Sequence, residues 1–416
     1  MFDAGPPEHE DVAWWIGGLA LPTVPDRAGD RGKRRQGGIR GRIDSGPRSG
    51  TVPVDPSSTL HCEETPMRSI TTRPFGTLPD GRGIDRIDLA NGDTEIGILT
   101  YGGIIASWTA PNAAGDVADV VIGFDSLDGW LADPQYFGAV VGRYANRLRG
   151  GRFPLDGRLV DVTSNQGDNQ LHGGAIGFDK AVWAAESHLE GIEVGVTLRH
   201  VSADGDEGYP GTLTSTVTYT LSSAGRLQMD FTALTDAPTV VNFTNHVYWN
   251  LAGEGDILDH IAQIDAGSFL EVGAGTLPTG TLRSVDNTPF DFRQPRRIGD
   301  RIAEVDGQLA LGGGYDHCYV VDGTPGLLRP CARLTADGRA LEIATTQPGV
   351  QFYSGNGIRP RTGRDGQIYG PHSALCLETQ HFPDAPNIPH FPSTRLDPGD
   401  TYAESTTMIV HPAPGL

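Results

Sequence analysis

The chain has 416 residues, too long for a small module and enough for one large β domain or two ordinary ones. Its formal net charge of -20 gives a surface that repels nucleic acid and anionic membranes, so neither is an expected partner. No apolar run reaches the roughly 18 residues of a membrane-spanning helix, and the acidic residues 1–11 are unlike the basic head of a secretory leader.

Residues 1–66 are rich in Gly, Pro, Asp and Arg, with a charged run from Asp30 to Arg35. Apart from Trp14-Trp15-Ile16 and Leu19-Ala20-Leu21 they offer little to bury. They read as a disordered N-terminal extension, with a basic arm as the alternative. Translation from Met67 is a further alternative, and 67–416 reads as one domain. From about residue 70 the pattern has period two. Residues 95–100 alternate, Gly102-Gly103 turns the chain, and 104–108 follow. Phe153 and Leu155, Asp156-Gly157, then 159–162 predict a tight hairpin. Leu213, Val217, Tyr219 and Leu221 alternate, and Leu227, Met229 and Phe231 alternate back. Residues 240–243, 316–321, 341–345, 351–354 and 375–377 predict further strands. Helical spacing is rare: Ile298, Ile302 and Val305 predict one short helix, and 127–131 a turn. The 57 glycines and 30 prolines suit many turns. An all-β antiparallel sandwich or barrel follows.

Five polar clusters sit at the edges of apolar runs. Asn146 and Arg147, in GRYANR, put an amide beside a guanidinium fork, a pair suited to vicinal hydroxyls. His172, in NQLHGG, precedes glycines that let the backbone approach a ligand. His246 lies in VNFTNHVYWNLAG with Tyr248 and Trp249, aromatics that stack on sugar C–H faces. Asp316 follows three glycines in GGGYDHCY; no helix follows, so a phosphate loop is the weaker reading. Glu378, in LCLETQHFPDAPN, is expected at the exit of a buried strand, where a general base is aimed yet reachable. Taken alone, each has a bland counterpart: an ion pair for Arg147 or Glu378, a core or loop histidine for the others. His172, His246 and His381 have no metal-ligand spacing, and no metal is expected. Cys62, Cys318, Cys331 and Cys376 show no CxxC. Cys318 and Cys376 lie in apolar runs and read as small core residues, which suits a reducing, cytoplasmic compartment.

GRYANR, LHGG with GFDKAVW, NFTNHVYWNLAG, TTQPGVQFYSGN and LCLETQHFPDAPN occur in an order and spacing that resemble the aldose 1-epimerase family, the galactose mutarotases. The resemblance covers roughly residues 70–412. It implies a large antiparallel β-supersandwich and interconversion of the α and β anomers of free aldohexoses, without a cofactor. It implies that Glu378 is the catalytic base and His246 the catalytic acid. It implies that Asn146, Arg147, His172, Tyr248, Asp316 and Gln351 bind the sugar. Val247 and Trp249 replace the family's usual Ser and Phe, a departure that bears on sugar preference rather than proton transfer. The competing readings are a hexose-6-phosphate epimerase and a sugar-binding module without turnover. A monomer or homodimer is expected. In this scheme Glu378 is ionised and His246 protonated, with Asp316 or another site carboxylate helping to hold the histidine's proton; the alternative runs the roles in reverse, neutral His246 as base and protonated Glu378 as acid.

Overall fold

Among the described residues, alternating segments from residue 69 onward pair into three large antiparallel sheets and five two-stranded ones. The structure, a computed structural model, describes residues 68–132 and 135–413. The expectations for residues 1–66 and for Cys62 lie outside the described residues.

The first sheet has five strands in chain order: Ser69–Thr77, Gly83–Asn91, Thr94–Leu99, Ile105–Pro111 and Val117–Asp119. The second has nine. Ala184–Glu190, Glu193–Ser202, Leu213–Leu221 and Arg226–Thr235 follow one another by hairpins, and the late strand Tyr402–Pro412 then pairs beside Arg226–Thr235. The third runs Pro278–Ser284, Ser268–Val272, Asp316–Val320, Gly349–Tyr353, Cys376–Gln380. One core draws on all three: Ile87 and Trp108, then Val196 and Phe231, then Phe269 and Val350. Each such large apolar side chain contributes about 1.5–3 kcal/mol by leaving water. The expected all-β supersandwich is what the chain forms.

The tight hairpin forms as read. Arg152–Leu155 pairs with Arg158–Asp161, and Asp156 and Gly157 take φ of 50° and 74°, the turn geometry whose twist matches that of the strands. Two readings need correction, and the preference against a phosphate loop holds. Ile298, Ile302 and Val305 do not share a helix: Ile298 opens a single 3-10 turn, Ile298–Asp300, and Val305 is fully exposed. The helix nearby is Gly307–Gly312, where the Asp306 carboxylate caps the N–H groups of Gln308 and Leu309. The glycines before Asp316 end that helix. Gly313, at φ 66°, gives its N–H to the Leu309 carbonyl, so the run is a C-terminal cap and not a phosphate loop. Residues 240–243 are not one strand. Thr239–Val240 and Thr244–Asn245 are two short pieces with different partners.

Candidate active site

The floor of the site is the third sheet. Glu378 stands in the middle of the strand Cys376–Gln380 rather than at its exit, because the strand continues through Thr379 and Gln380. It lies directly across from Gln351 on Gly349–Tyr353, so the two share a face. Asp316 opens the next strand, and Gln351 Nε2 donates to its Oδ1 at 2.6 Å. Three side chains from three adjacent strands therefore converge with no loop between them.

His246 arrives from the side. Thr244–Asn245 pairs with Val140–Val141, and His246 N–H continues onto the Ala139 carbonyl at 2.9 Å. Trp249 then bridges in both directions to Leu375, which ties this segment to the start of the Glu378 strand. The result sets His246 Nε2 at 3.6 Å from Glu378 Oε1. Tyr248 stacks on the imidazole, with ring centres 5.0 Å apart and 22° between planes. Its hydroxyl donates to the Gln135 carbonyl at 3.1 Å, so Tyr248 supports the histidine as much as it lines the pocket.

The opposite wall is made of loops. Asn146 and His172 both adopt left-handed backbone, at φ 64° and 52°. Each holds the other: His172 N–H donates to the Asn146 carbonyl at 3.0 Å, and Asn146 N–H donates to His172 Nδ1 at 3.2 Å. Asn146 turns its side-chain oxygen to Arg147, accepting the backbone N–H at 2.9 Å and the guanidinium at 3.4 Å. Arg147 also donates through Nε to Gln166 at 2.9 Å and stands 3.8 Å from Asp316. Asp384, from the same LETQHFPDA stretch, locks this wall from behind. Its N–H donates to the Arg147 carbonyl and its carboxylate accepts the Arg149 N–H, each at 2.9 Å.

All eight residues expected from the sequence come together. Seven of them line or floor one cavity of about 530 Å³, and Gln351 stands directly behind through Asp316. His381 does not join them; its Nε2 meets Glu404 at 3.4 Å. The sequence reading missed Tyr136, Gln166, Lys180, Arg359 and Cys376. Tyr136, Gln166, Lys180 and Arg359 line the pocket. Lys180 is paired with Asp179 at 2.5 Å. Tyr136 packs on His172 at 4.6 Å and on His246 at 5.9 Å between ring centres. A left-handed tyrosine before Phe137-Gly138 carries no sequence signal of its own. Cys376 did carry one: it lies two residues before Glu378 and so faces the same way.

Burial governs the charges. It pushes the Glu378 carboxyl well above the usual range; Asp316 adds to this and Arg147 opposes it. One oxygen, Oε2, has no hydrogen-bond partner among the described residues. Burial lowers His246 to about 4 and His172 well below its usual value. These directions favour the second assignment, protonated Glu378 beside neutral His246, over an ionised glutamate beside a protonated histidine. Asp316 is engaged by Gln351 and Arg147, and is not what sets the charge of His246. Burial thus disfavours the charged form of each member and favours the neutral pair.

His172, His246 and Glu378 offer donor atoms within 4.8 Å of one another, a set that can hold a transition metal. The hydrogen bonding of His172 does not fit that role. Its Nδ1 accepts from Asn146, so the neutral ring carries its proton on Nε2, and a metal needs a lone pair there.

The sequence pattern of the aldose 1-epimerase family matches residues 85–408. The galactose mutarotase of Bos taurus is 43% identical over 346 residues, 82% of this chain and 98% of that protein. The aldose 1-epimerase of Escherichia coli K12 is 35% identical over 334 residues, 79% of this chain and 95% of that protein. Among solved structures, an aldose epimerase homologue from C. elegans superimposes with a TM-score of 0.72 at 31% identity, over 79% of this chain and 99% of that one. Galactose 1-epimerase from Lactobacillus acidophilus NCFM gives 0.75 at 25% identity, over 84% and 100%. With a pattern match across most of the domain, and relatives matched nearly end to end, this chain belongs to the aldose 1-epimerase family and is an isomerase.

Proposed function

We propose that this pocket interconverts the anomers of free aldohexoses, D-galactose and D-glucose first, with Glu378 and His246 moving the protons. The observation that carries the reading is the 3.6 Å approach of His246 Nε2 to Glu378 Oε1. Mutarotation takes a proton off the C1 hydroxyl and puts one on the ring oxygen. Both oxygens hang on the same carbon, so the acid and the base must also be neighbours. The ring opens to the aldehyde, the C1–C2 bond turns, and closure on the other face reverses the transfers.

A pair with one shared proton suits this chemistry in either arrangement. Protonated Glu378 with neutral His246, and carboxylate with imidazolium, differ only in where that proton sits, so the pair titrates as a unit. The hydroxyl proton goes to whichever member lacks it, and the ring oxygen receives from the other. Each proton-transfer group is worth about 10²–10⁴-fold. Arg147, His172, Asp316 and Gln351 keep the open chain in place while C1 turns, with Asn146 orienting Arg147 and Tyr248 supporting His246. The cavity of about 530 Å³ is of the size that holds one small ligand. The curated relatives are named for galactose or for aldoses in general, which favours a free sugar over a 6-phosphate or a module without turnover.

The buried free thiols Cys318, Cys331 and Cys376 suit a reducing compartment, and we propose the cytoplasm. Among the described residues no helix is long and apolar enough to cross a membrane. A monomer or homodimer is proposed, to be read by light scattering; a higher oligomer would exclude it. Polarimetry of freshly dissolved α-D-galactose and α-D-glucose tests the activity. Equilibration faster than in buffer alone is expected. No acceleration with either sugar would remove the proposal.

A further inference from the structure

Cys376 and Glu378 are two residues apart on one strand and present the same face. Between them they meet both ring nitrogens of His246. Glu378 Oε1 stands 3.6 Å from Nε2, and Cys376 Sγ stands 3.4 Å from Nδ1. The imidazole is also held by Tyr248 and Tyr136, each stacked within 25° of its plane, and by the edge of His172. Its orientation is thus fixed, and what remains to be decided is which nitrogen carries the proton.

A histidine that exchanges protons with a substrate needs that choice made in advance. The group behind the far nitrogen makes it, commonly a carboxylate or a carbonyl. Here the group behind is a thiol. We propose that Cys376 is a positioning residue for His246: its sulfur accepts the Nδ1–H, so that Nε2, facing Glu378, is the nitrogen that takes and returns the proton. This rests on the reading of His246 as a proton-transfer group.

The choice of sulfur has a chemical consequence. The thiol is fully buried, and burial pushes its ionisation well above the usual value, so it stays neutral. A carboxylate in that place would hold a positive imidazolium and make it slow to give its proton to a weakly basic ring oxygen. A neutral thiol can accept at sulfur or donate its S–H; with a protonated Glu378 donating to Nε2, the proton of the ring lies on Nδ1 and the sulfur accepts it without binding a charge. The ring is then free to pass the proton to Glu378 or to the sugar. The strand spacing delivers both functions at once, since a residue one place away would point through the sheet.

The test combines a spectrum and kinetics on the whole chain. Long-range proton–nitrogen NMR of protein labelled at histidine, with His246 assigned by its absence in His246→Gln, is expected to show Nδ1 protonated and Nε2 unprotonated. Cys376→Ala should redistribute that proton and lower kcat about tenfold, with KM within about twofold. Cys376→Ser, whose oxygen also accepts, should keep kcat within about threefold of wild type. An unprotonated Nδ1 in the wild type overturns the proposal, as does a Cys376→Ala enzyme with wild-type kcat or a serine variant no better than alanine. Full turnover in His246→Ala would overturn the proton-transfer reading and this proposal with it. Loss there beside an unaffected Cys376→Ala overturns this proposal alone.

Discussion

The two sides of the pocket are built in different ways. The floor is regular sheet: Glu378, Gln351 and Asp316 come from three paired strands, and register alone aims them. The wall is loop: Asn146 and His172 sit in left-handed backbone and hold each other by reciprocal hydrogen bonds. Sheet gives fixed separation, which proton transfer needs, because a small misplacement costs much of the rate. Loops can wrap hydroxyls at several angles, which binding needs. On the proposed roles, the proton-transfer pair is held by strand pairing, Glu378 within the sheet and His246 through the short strand Thr244–Asn245 and Trp249, while the binding groups come from both sides, Asp316 and Gln351 from the floor and Arg147 and His172 from the wall.

Substitutions test that division. Glu378→Gln and His246→Ala should each lower kcat by about 10²–10⁴-fold with little change in KM. A Glu378→Gln enzyme retaining more than about a tenth of wild-type kcat would deny the carboxyl its role. On the wall, His172→Ala and Arg147→Ala should raise KM by about 10–100-fold, the worth of one or two charge-assisted hydrogen bonds, and lower kcat less. If their losses fell on kcat alone, the division between proton-transfer pair and binding groups would be wrong.

The pH profile sharpens the comparison. Below about 4, His246 gains a proton and both members of the pair are protonated, so no base remains. Above the raised value of Glu378 the pair holds no transferable proton, so no acid remains. Turnover should therefore form a bell whose two limbs report the pair, the acid limb mainly His246 and the alkaline limb mainly Glu378 if the neutral pair is the active form. An ionised glutamate with a protonated histidine would exchange the two limbs. Polarimetric profiles of His246→Gln decide: loss of the acid limb supports the first order, and loss of the alkaline limb instead reverses it.

Stability should move the other way from activity. The folded Glu378 carboxyl titrates above its unfolded value near about 4.3 because it is buried with one oxygen unpartnered. Its contribution is whole below that value and is lost as pH rises toward the folded one. Glu378→Gln removes this penalty, so at neutral pH its Tm should rise, on the order of 2 °C, and the gain should shrink toward pH 4. A lower Tm at pH 7 would show that the carboxyl is better paired than this. The smallest effect is expected from the N-terminus. A chain beginning at Met67 should keep both Tm and turnover, and calorimetry with polarimetry would reveal any loss.

Much of this was legible in the chain, for local reasons. Alternation announced the strands, Asp156-Gly157 the hairpin, and the five motifs the family and, with Asp316 in GGGYDHCY, the eight residues that meet at the site. Val305 fits a helical spacing with Ile298, but Asp306 is the local N-cap signal, and the helix starts there, after Val305, instead. What was hidden depends on distant partners. Glu378 looked like a strand end because Thr379 and Gln380 are polar; burial within the sheet keeps them in the strand. The charge state of the pair was also hidden, since it follows from how fully His246 and Glu378 leave water, and that depends on every wall at once. Tyr136 is an ordinary residue type whose role exists only beside His172 and His246.

The place of the strand Tyr402–Pro412 bears on how activity is acquired. It is an interior strand of the nine-stranded sheet, between Arg226–Thr235 and Arg339–Thr345. The large sheet thus stays split until one of the last segments of the domain is laid in. Pairings this distant in sequence close slowly, since the entropy of the loop is lost before contacts compensate for it. Gln347 and Thr379, the latter beside Glu378, bond to Tyr402 and Thr406 of that strand. Turnover in a refolding sample is therefore a clock for the closure of the whole domain, and no early intermediate should rotate sugars.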